Sequence, residues 1–194
     1  MSQEAIARAL FLLLAMGTAG LVHVLWLRTA LSRRFAWPVD GGLSFRGRRL
    51  FGDNKRVCGF MVLPPAAALT FMLLGSSREM LPELFGQGLW DLSAWQYAGL
   101  GLICGFSFML AELPNSFIKR QLDIPPGQTA SQSWLQPVIL VVDRYDSVLG
   151  VLLVLSLLVP LPVATWFWVL GLGPLVHGLF SILMYGLGIK ARAL

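Results

Sequence analysis

The amino-acid sequence predicts an all-α integral membrane protein with about five transmembrane helices, and three observations carry that expectation. The chain of 194 residues is 56% hydrophobic and only 13% charged, whereas about a quarter of the residues in a soluble domain are charged. Its mean hydropathy is +0.71. The apolar residues gather into five runs near spanning length, roughly 20 residues each, and most basic residues stand beside those runs. Five crossings consume about half the chain, so residues 1–194 are expected to form a single membrane-embedded domain.

The first run covers about Ala5 to Leu27 with Arg8 as its only charge, and His23, Trp26 and Arg28 close it. A cleaved signal peptide has a basic start, a shorter core and a small-residue exit, so a retained helix is expected. The second run, about Cys58 to Gly75, contains Pro64-Pro65, which remove backbone donors and predict a kink. The third spans about Trp95 to Leu113. The fourth, about Tyr145 to Val159, is short and ends at Pro160 and Pro162; a start before Asp146 would complete it. The fifth extends from about Val163 to Ile189. Between the second and third lies Gly75 to Trp90, read as a short solvated connector, with an interfacial or partly re-entrant segment as the alternative.

Charge sets the orientation. Arg28, Arg33, Arg34, Arg46, Arg48, Arg49, Lys55 and Arg56 follow the first run, opposed only by Asp40 and Asp53. The next connection carries Arg78 against Glu79, Glu83 and Asp91. Lys119, Arg120 and Arg144 belong to the third connection, and Lys190 and Arg192 to the tail. Because cytoplasmic loops concentrate Lys and Arg, the N-terminus is predicted outside and the C-terminus cytoplasmic. Two long cytoplasmic loops would then form the site of a multi-pass protein of the cell membrane.

The net charge of +5 could suggest nucleic acid in a soluble protein. Here the cations flank helices and do not alternate with aromatic residues as in single-strand binders. That favours topology, anionic headgroups and phosphate ligands. Cys58 and Cys104 form no disulfide or metal pattern and read as membrane-embedded thiols. Trp37, Trp90, Trp95, Trp134 and Trp166 fall near run ends, where an aromatic belt accounts for them. His177 is expected to hydrogen-bond a neighbouring helix, and His23 to be interfacial.

Two polar strings carry the candidate chemistry. The first runs from Arg48 to Gly59 and contains Gly52-Asp53-Asn54-Lys55. Its glycines permit close backbone approach, and Lys55 offers a compact cation for a phosphate. It is not a Walker A loop, because Gly-Lys-Ser/Thr is missing, and a basic loop of this kind is more often a topology signal than a site. The second string reads Glu112-Leu113-Pro114-Asn115-Ser116-Phe117-Ile118-Lys119-Arg120, followed after a Pro126-Gly127 turn by Asp143-Arg144-Tyr145-Asp146-Ser147. Asp143 and Asp146 share a face on a helix. Two carboxylates at a helix start are costly unless a cation neutralises them, although either could cap the helix. Glu112 lies at the end of an apolar run, where a carboxylate needs a partner; Lys119 or Arg120 are the local choices. Oxygen ligands beside basic residues suit Mg²⁺ and a triphosphate.

The second string resembles the signature of phosphatidate cytidylyltransferases, Gly-Asp-Leu-x-x-Ser-x-x-Lys-Arg followed later by Asp-Arg-x-Asp-Ser. Within that superfamily the chain more closely resembles the small five-span CDP-archaeol synthases, with Ser116 to Arg120 and Gly52 to Lys55 as the matching stretches. The resemblance implies a CTP-dependent cytidylyltransferase that transfers CMP to a lipid phosphate of phosphatidate or archaeal ether-lipid type. It implies Asp143 and Asp146 as Mg²⁺ ligands, with Glu112 in the family's Asp position as a third ligand or a supporting acid. Lys119, Asp143 and Asp146 would be catalytic, and Asn54, Lys55, Ser116, Lys119, Arg120 and Arg144 would bind substrate. The departures are Ala111-Glu112 for Gly-Asp, Arg56 for a hydroxyl residue after the lysine, and Asn115 where many archaeal relatives carry a base.

CTP, a lipid phosphate and the bilayer are thus the expected partners, without nucleic acid; a homodimer is an open option. The other reading is a catalytically weakened or inactive homologue that binds lipid or organises a complex. A transporter is disfavoured, since its ionisable residues would lie near the midplane at broken helices.

Overall fold

In a computed structural model, which describes residues 3–78, 80–85, 88–128 and 132–189, five long helices form the body of the protein. They are α1 (Gln3–Leu27), α3 (Val57–Ser76), α5 (Ala94–Gln121), α6 (Leu135–Leu158) and α7 (Val163–Gly186). Short elements join them: α2 (Ala30–Arg34), a hairpin of β1 (Ser44–Phe45) and β2 (Arg48–Arg49), and α4 (Pro82–Phe85). The strands are antiparallel, pairing Ser44 with Arg49 and Phe45 with Arg48. Glu79, Lys190 and Arg192, which entered the charge count, lie outside the described residues.

Among the described residues, four helices are long and apolar enough to cross a membrane: α1, α3, α5 and α7. The fifth expected crossing, α6, has 24 residues, but every 18-residue stretch within it includes Asp143, Arg144 and Asp146. Its charges set it apart, not its length.

Two boundaries differ from those predicted. Helix α5 continues through Pro114 to Gln121 instead of ending near Leu113, because flanking helices in a bundle offset the donor that proline removes. Helix α6 begins at Leu135, ten residues before the predicted start. Its Pro137 falls in the first turn, where the missing N–H has no helical partner to lose. Asp143 is therefore deep in a helix and caps nothing, and the second polar string is helical, not a loop.

Small residues set the packing. Helix α5 presses most extensively on α3. A Cβ on Gly101 would meet the Ala67 carbonyl oxygen at 2.3 Å, and one on Gly105 would meet Pro64 Cα at 2.5 Å. Two glycines four apart thus let the backbones touch. At the end of the bundle formed by the α3–α5 connection, Phe11 is surrounded by the rings of Phe71, Phe85, Trp90 and Tyr97. Trp90 is 5% exposed and donates from Nε1 to the Pro160 carbonyl at 2.8 Å; it belongs to the core and not to an aromatic belt. Its connection is likewise more than a solvated link, since Phe85, Leu89 and Trp90 are all buried. Arg8, the charge inside the first run, donates to the Gly88 and Pro160 carbonyls and lies over the Trp90 ring. Cys58 and Cys104 are free and buried, as expected.

Candidate active site

The opposite end of the bundle is polar, and two helical stripes build it. On α5 the residues Glu112, Asn115, Ser116 and Lys119 recur at i, i+3, i+4 and i+7, the spacing of one helix face. On α6 the corresponding stripe is Asp143, Asp146 and Ser147. The stripes face each other. The Asn115 amide nitrogen donates to Asp143 Oδ1 at 2.6 Å and to Asp146 Oδ2 at 2.8 Å. Lys119 pairs with Asp143 through the same Oδ1. The Asp146 Oδ1 atom accepts the Ser147 backbone N–H at 2.6 Å. The single Ser147 hydroxyl proton is within reach of both Glu112 Oε1 at 3.1 Å and Asp146 Oδ1 at 3.0 Å. Ser147 is 1% exposed, whereas the Asp143 side chain, at 37%, is the open edge of the site.

The partner of Glu112 comes from the first string, not from Lys119 or Arg120. Lys55, immediately before α3, forms an ion pair with Glu112. This link across 57 positions joins the two strings and fixes the basic segment over the helices.

That segment is held from within by Asp40. Its buried carboxylate accepts the N–H groups of Phe51 at 2.9 Å, Gly52 at 3.0 Å and Gly42 at 3.1 Å, and the Arg49 guanidinium at 2.6 Å. Burial pushes its carboxyl up, but the Arg49 guanidinium and the three N–H groups outweigh burial and hold it well below the usual carboxylate range. Gly52 adopts a positive φ of 85°, and a Cβ there would meet Pro126 at 3.0 Å. This close approach is the reason for a glycine in the string. Arg48 completes the docking by donating to the Gln121 carbonyl at 2.6 Å and pairing with Asp123.

The remaining predicted residues lie at graded distances from this centre. Ser116 is buried on the same α5 face. Arg120 donates to the Ile124 carbonyl through Nη1, while its buried Nε has no hydrogen-bond partner among the described residues. Asn54 is exposed, beside Gly127. Arg144 reaches α7, where its Nη1 would lie 2.6 Å from a Cβ on Gly178. Asn115 and Ser147 were not singled out as site residues. The polar i, i+3, i+4 spacing is the sequence signal for both: on α5 it runs through Pro114 and includes Asn115, and on α6 it starts at Asp143 and includes Asp146 and Ser147.

Among the described residues, no three His, Cys, Asp or Glu side chains stand close enough together to hold a metal ion. Glu112 is therefore not brought into a three-carboxylate group with Asp143 and Asp146; Lys55 and Ser147 hold it instead. The two aspartates do suit a hard cation, because one donor atom, Asn115 Nδ2, reaches both carboxylates at once. Mg²⁺ is commonly held by one or two carboxylates together with substrate phosphates, which is the donor set available here.

Comparison with known proteins agrees with the motif reading. The chain is 31% identical to the CDP-archaeol synthase of Methanoculleus marisnigri, over 79% of this chain and 87% of that protein. It is 30% identical to that of Thermofilum pendens, over 95% and 79% respectively, and 32% identical to that of Pyrobaculum arsenaticum, over 82% and 85%. No solved structure matches it significantly. The family model described as CarS-like CDP-archaeol synthase matches residues 8–193, and the chain belongs to that family.

Proposed function

We propose that the protein is a CTP-dependent cytidylyltransferase that transfers CMP to an ether-lipid phosphate of archaeal type. The observation that carries this reading is the facing of the two stripes: carboxylates and lysines from α5, α6 and the Lys55 segment meet at one end of a membrane bundle. Family membership supports the nucleotide and the class of acceptor.

In the reaction a lipid-phosphate oxygen attacks the α-phosphorus of CTP. The new P–O–P linkage forms as the bond to the β-phosphate bridging oxygen breaks, and pyrophosphate leaves with that electron pair. The protein's task is positioning and charge compensation. Asp143 and Asp146 would hold Mg²⁺, which supplies neutralisation of the triphosphate when bound. Lys119, Lys55 and Arg120 bind phosphate oxygens. Ser116 donates a hydrogen bond, Asn54 borders the nucleotide, and Arg144 acts on the side nearer the lipid. Glu112 orients Lys55. The basic segment favours a cytoplasmic side for this end, where CTP is available; maleimide labelling of Ser44→Cys from that side alone tests the orientation.

Purified protein with CTP, Mg²⁺ and a panel of ether- and ester-lipid phosphates should release pyrophosphate. Asp146→Asn should abolish turnover, and Asn115→Leu should lower it by about a hundredfold, the scale of a lost positioning contact. Absence of turnover with every acceptor, together with unchanged CTP binding in Asp146→Asn, would overturn the reading.

A further inference from the structure

The segment between α1 and α3 carries eight basic residues, and the structure separates them by use. Lys55 pairs with Glu112, Arg48 with Asp123, and Arg49 with Asp40 and Asp53. Arg28 donates to the Leu187 carbonyl and Arg56 to the Asp53 carbonyl. Arg46 lies over the Phe45 ring, which packs near Phe117. Arg33 and Arg34 alone remain: both are exposed and, among the described residues, have no ion pair, hydrogen bond or ring contact.

Their location is fixed by the chain on either side. They form the last turn of α2, which starts three residues after α1 ends at Leu27. Thr29 caps α2, accepting the Ser32 N–H, and the Ser32 hydroxyl donates to the Leu27 carbonyl at 3.0 Å, so α2 is tied to the end of the spanning helix. On the other side, the Trp37 carbonyl accepts the N–H of Val57, the first residue of α3. Both ends of the stretch 28–37 are thus held where spanning helices leave the apolar layer. Within it Leu31 is 44% and Trp37 64% exposed. An exposed Trp held beside the start of a spanning helix belongs at the headgroup level, and the two uncommitted guanidinium groups stand three and four residues before it in the chain.

We propose that α2 with Trp37 is an anchor for the anionic headgroups of the surrounding leaflet, distinct from the site that takes the lipid phosphate. Trp37 and Leu31 set the depth, and Arg33 and Arg34 recruit negative charge. A topology signal acts during insertion and counts charges wherever they lie. The anchor acts at equilibrium in the folded protein and depends on these two residues. Each is worth about fivefold in local enrichment of anionic lipid at low salt, from roughly 1 kcal/mol per basic residue at the surface.

The test uses the full chain reconstituted in phosphatidylcholine vesicles, with trace spin-labelled phosphatidylglycerol or spin-labelled phosphatidylcholine. The ratio of motionally restricted glycerol lipid to choline lipid is measured by electron paramagnetic resonance. The wild-type ratio should exceed one severalfold and collapse at about 1 M salt, where the screening length is about 3 Å. Arg33→Gln with Arg34→Gln should bring it close to one, while Arg33→Lys with Arg34→Lys should keep most of it. The single Gln variants, each lowering it part of the way, serve if the double variant does not reconstitute. A ratio unchanged by the Gln substitutions would overturn the anchor. So would a ratio lost in Lys119→Gln but kept in Arg33→Gln with Arg34→Gln, because the anionic lipid would then sit in the site. Loss of pyrophosphate release with an intact ratio would instead count against the proposed reaction alone.

Discussion

Lys55 and Glu112 illustrate what a single pair does here. Each side chain retains only about a fifth of its exposure, so removing one charge strands the other in a poorly hydrated place. Lys55→Met should destabilise the protein by about 3 kcal/mol, the low end for a broken buried pair because both groups keep some water. Adding Glu112→Leu should recover much of that loss, yet leave turnover depressed because the phosphate contact stays missing. Melting in detergent checks the first effect and pyrophosphate release the second; equal melting of the single and double variants would contradict the pairing. Asp40 makes the same point through pH. Its depressed carboxyl stabilises the fold fully above the ordinary carboxylate value of about 4. That contribution is eroded as pH falls from there towards the folded-state value. Asp40→Asn should therefore flatten the acid side of the melting-temperature profile and lower the plateau at neutral pH. Asp40 and Lys55 stood out as charges, but their partners could not be read from sequence, because Glu112 lies 57 positions from Lys55 and no local spacing links them.

At the scale of elements, the α3–α5 contact depends on the absence of side chains. Gly101→Ala and Gly105→Ala each place a Cβ within 2.5 Å of α3 backbone or carbonyl atoms, and backbone cannot rotate aside. Each should cost about 1–3 kcal/mol. Gly99→Ala, with nothing within 4 Å, should be neutral or stabilising by up to about 1 kcal/mol; melting of the three variants side by side decides it. All five long helices are legible as apolar runs, because hydropathy reports the lipid-facing surface directly. The C-terminal end of α5 and the start of α6 are not. Pro114 looked like a stop, although a bundle can absorb it. The charges of α6 broke a run whose apolar beginning, Val138 to Val142, lies upstream of them. Helical periodicity of polar residues, not of apolar ones, is the readable trace of a site built inside such a helix.

The molecule as a whole is polarised: an aromatic core around Phe11 closes one end, and the charged stripes with the Asp40-held segment occupy the other. That division suits an enzyme whose nucleotide comes from water and whose acceptor comes from the leaflet. It also bears on how the chain is made. Asp143, Arg144 and Asp146 each carry an insertion penalty of roughly 3 kcal/mol at a helix centre, less near its end, and together they offset much of what the apolar residues of α6 contribute. Its natural counter-groups, Asn115 and Lys119, belong to the helix synthesised just before it. Helix α6 fused alone to a reporter should enter the bilayer poorly, and the α5–α6 pair should enter well, with Lys119→Leu reversing the gain. The contacts that arrange the site would then also be the contacts that admit its second helix to the membrane, so that a chain unable to align its carboxylates is also one that fails to assemble.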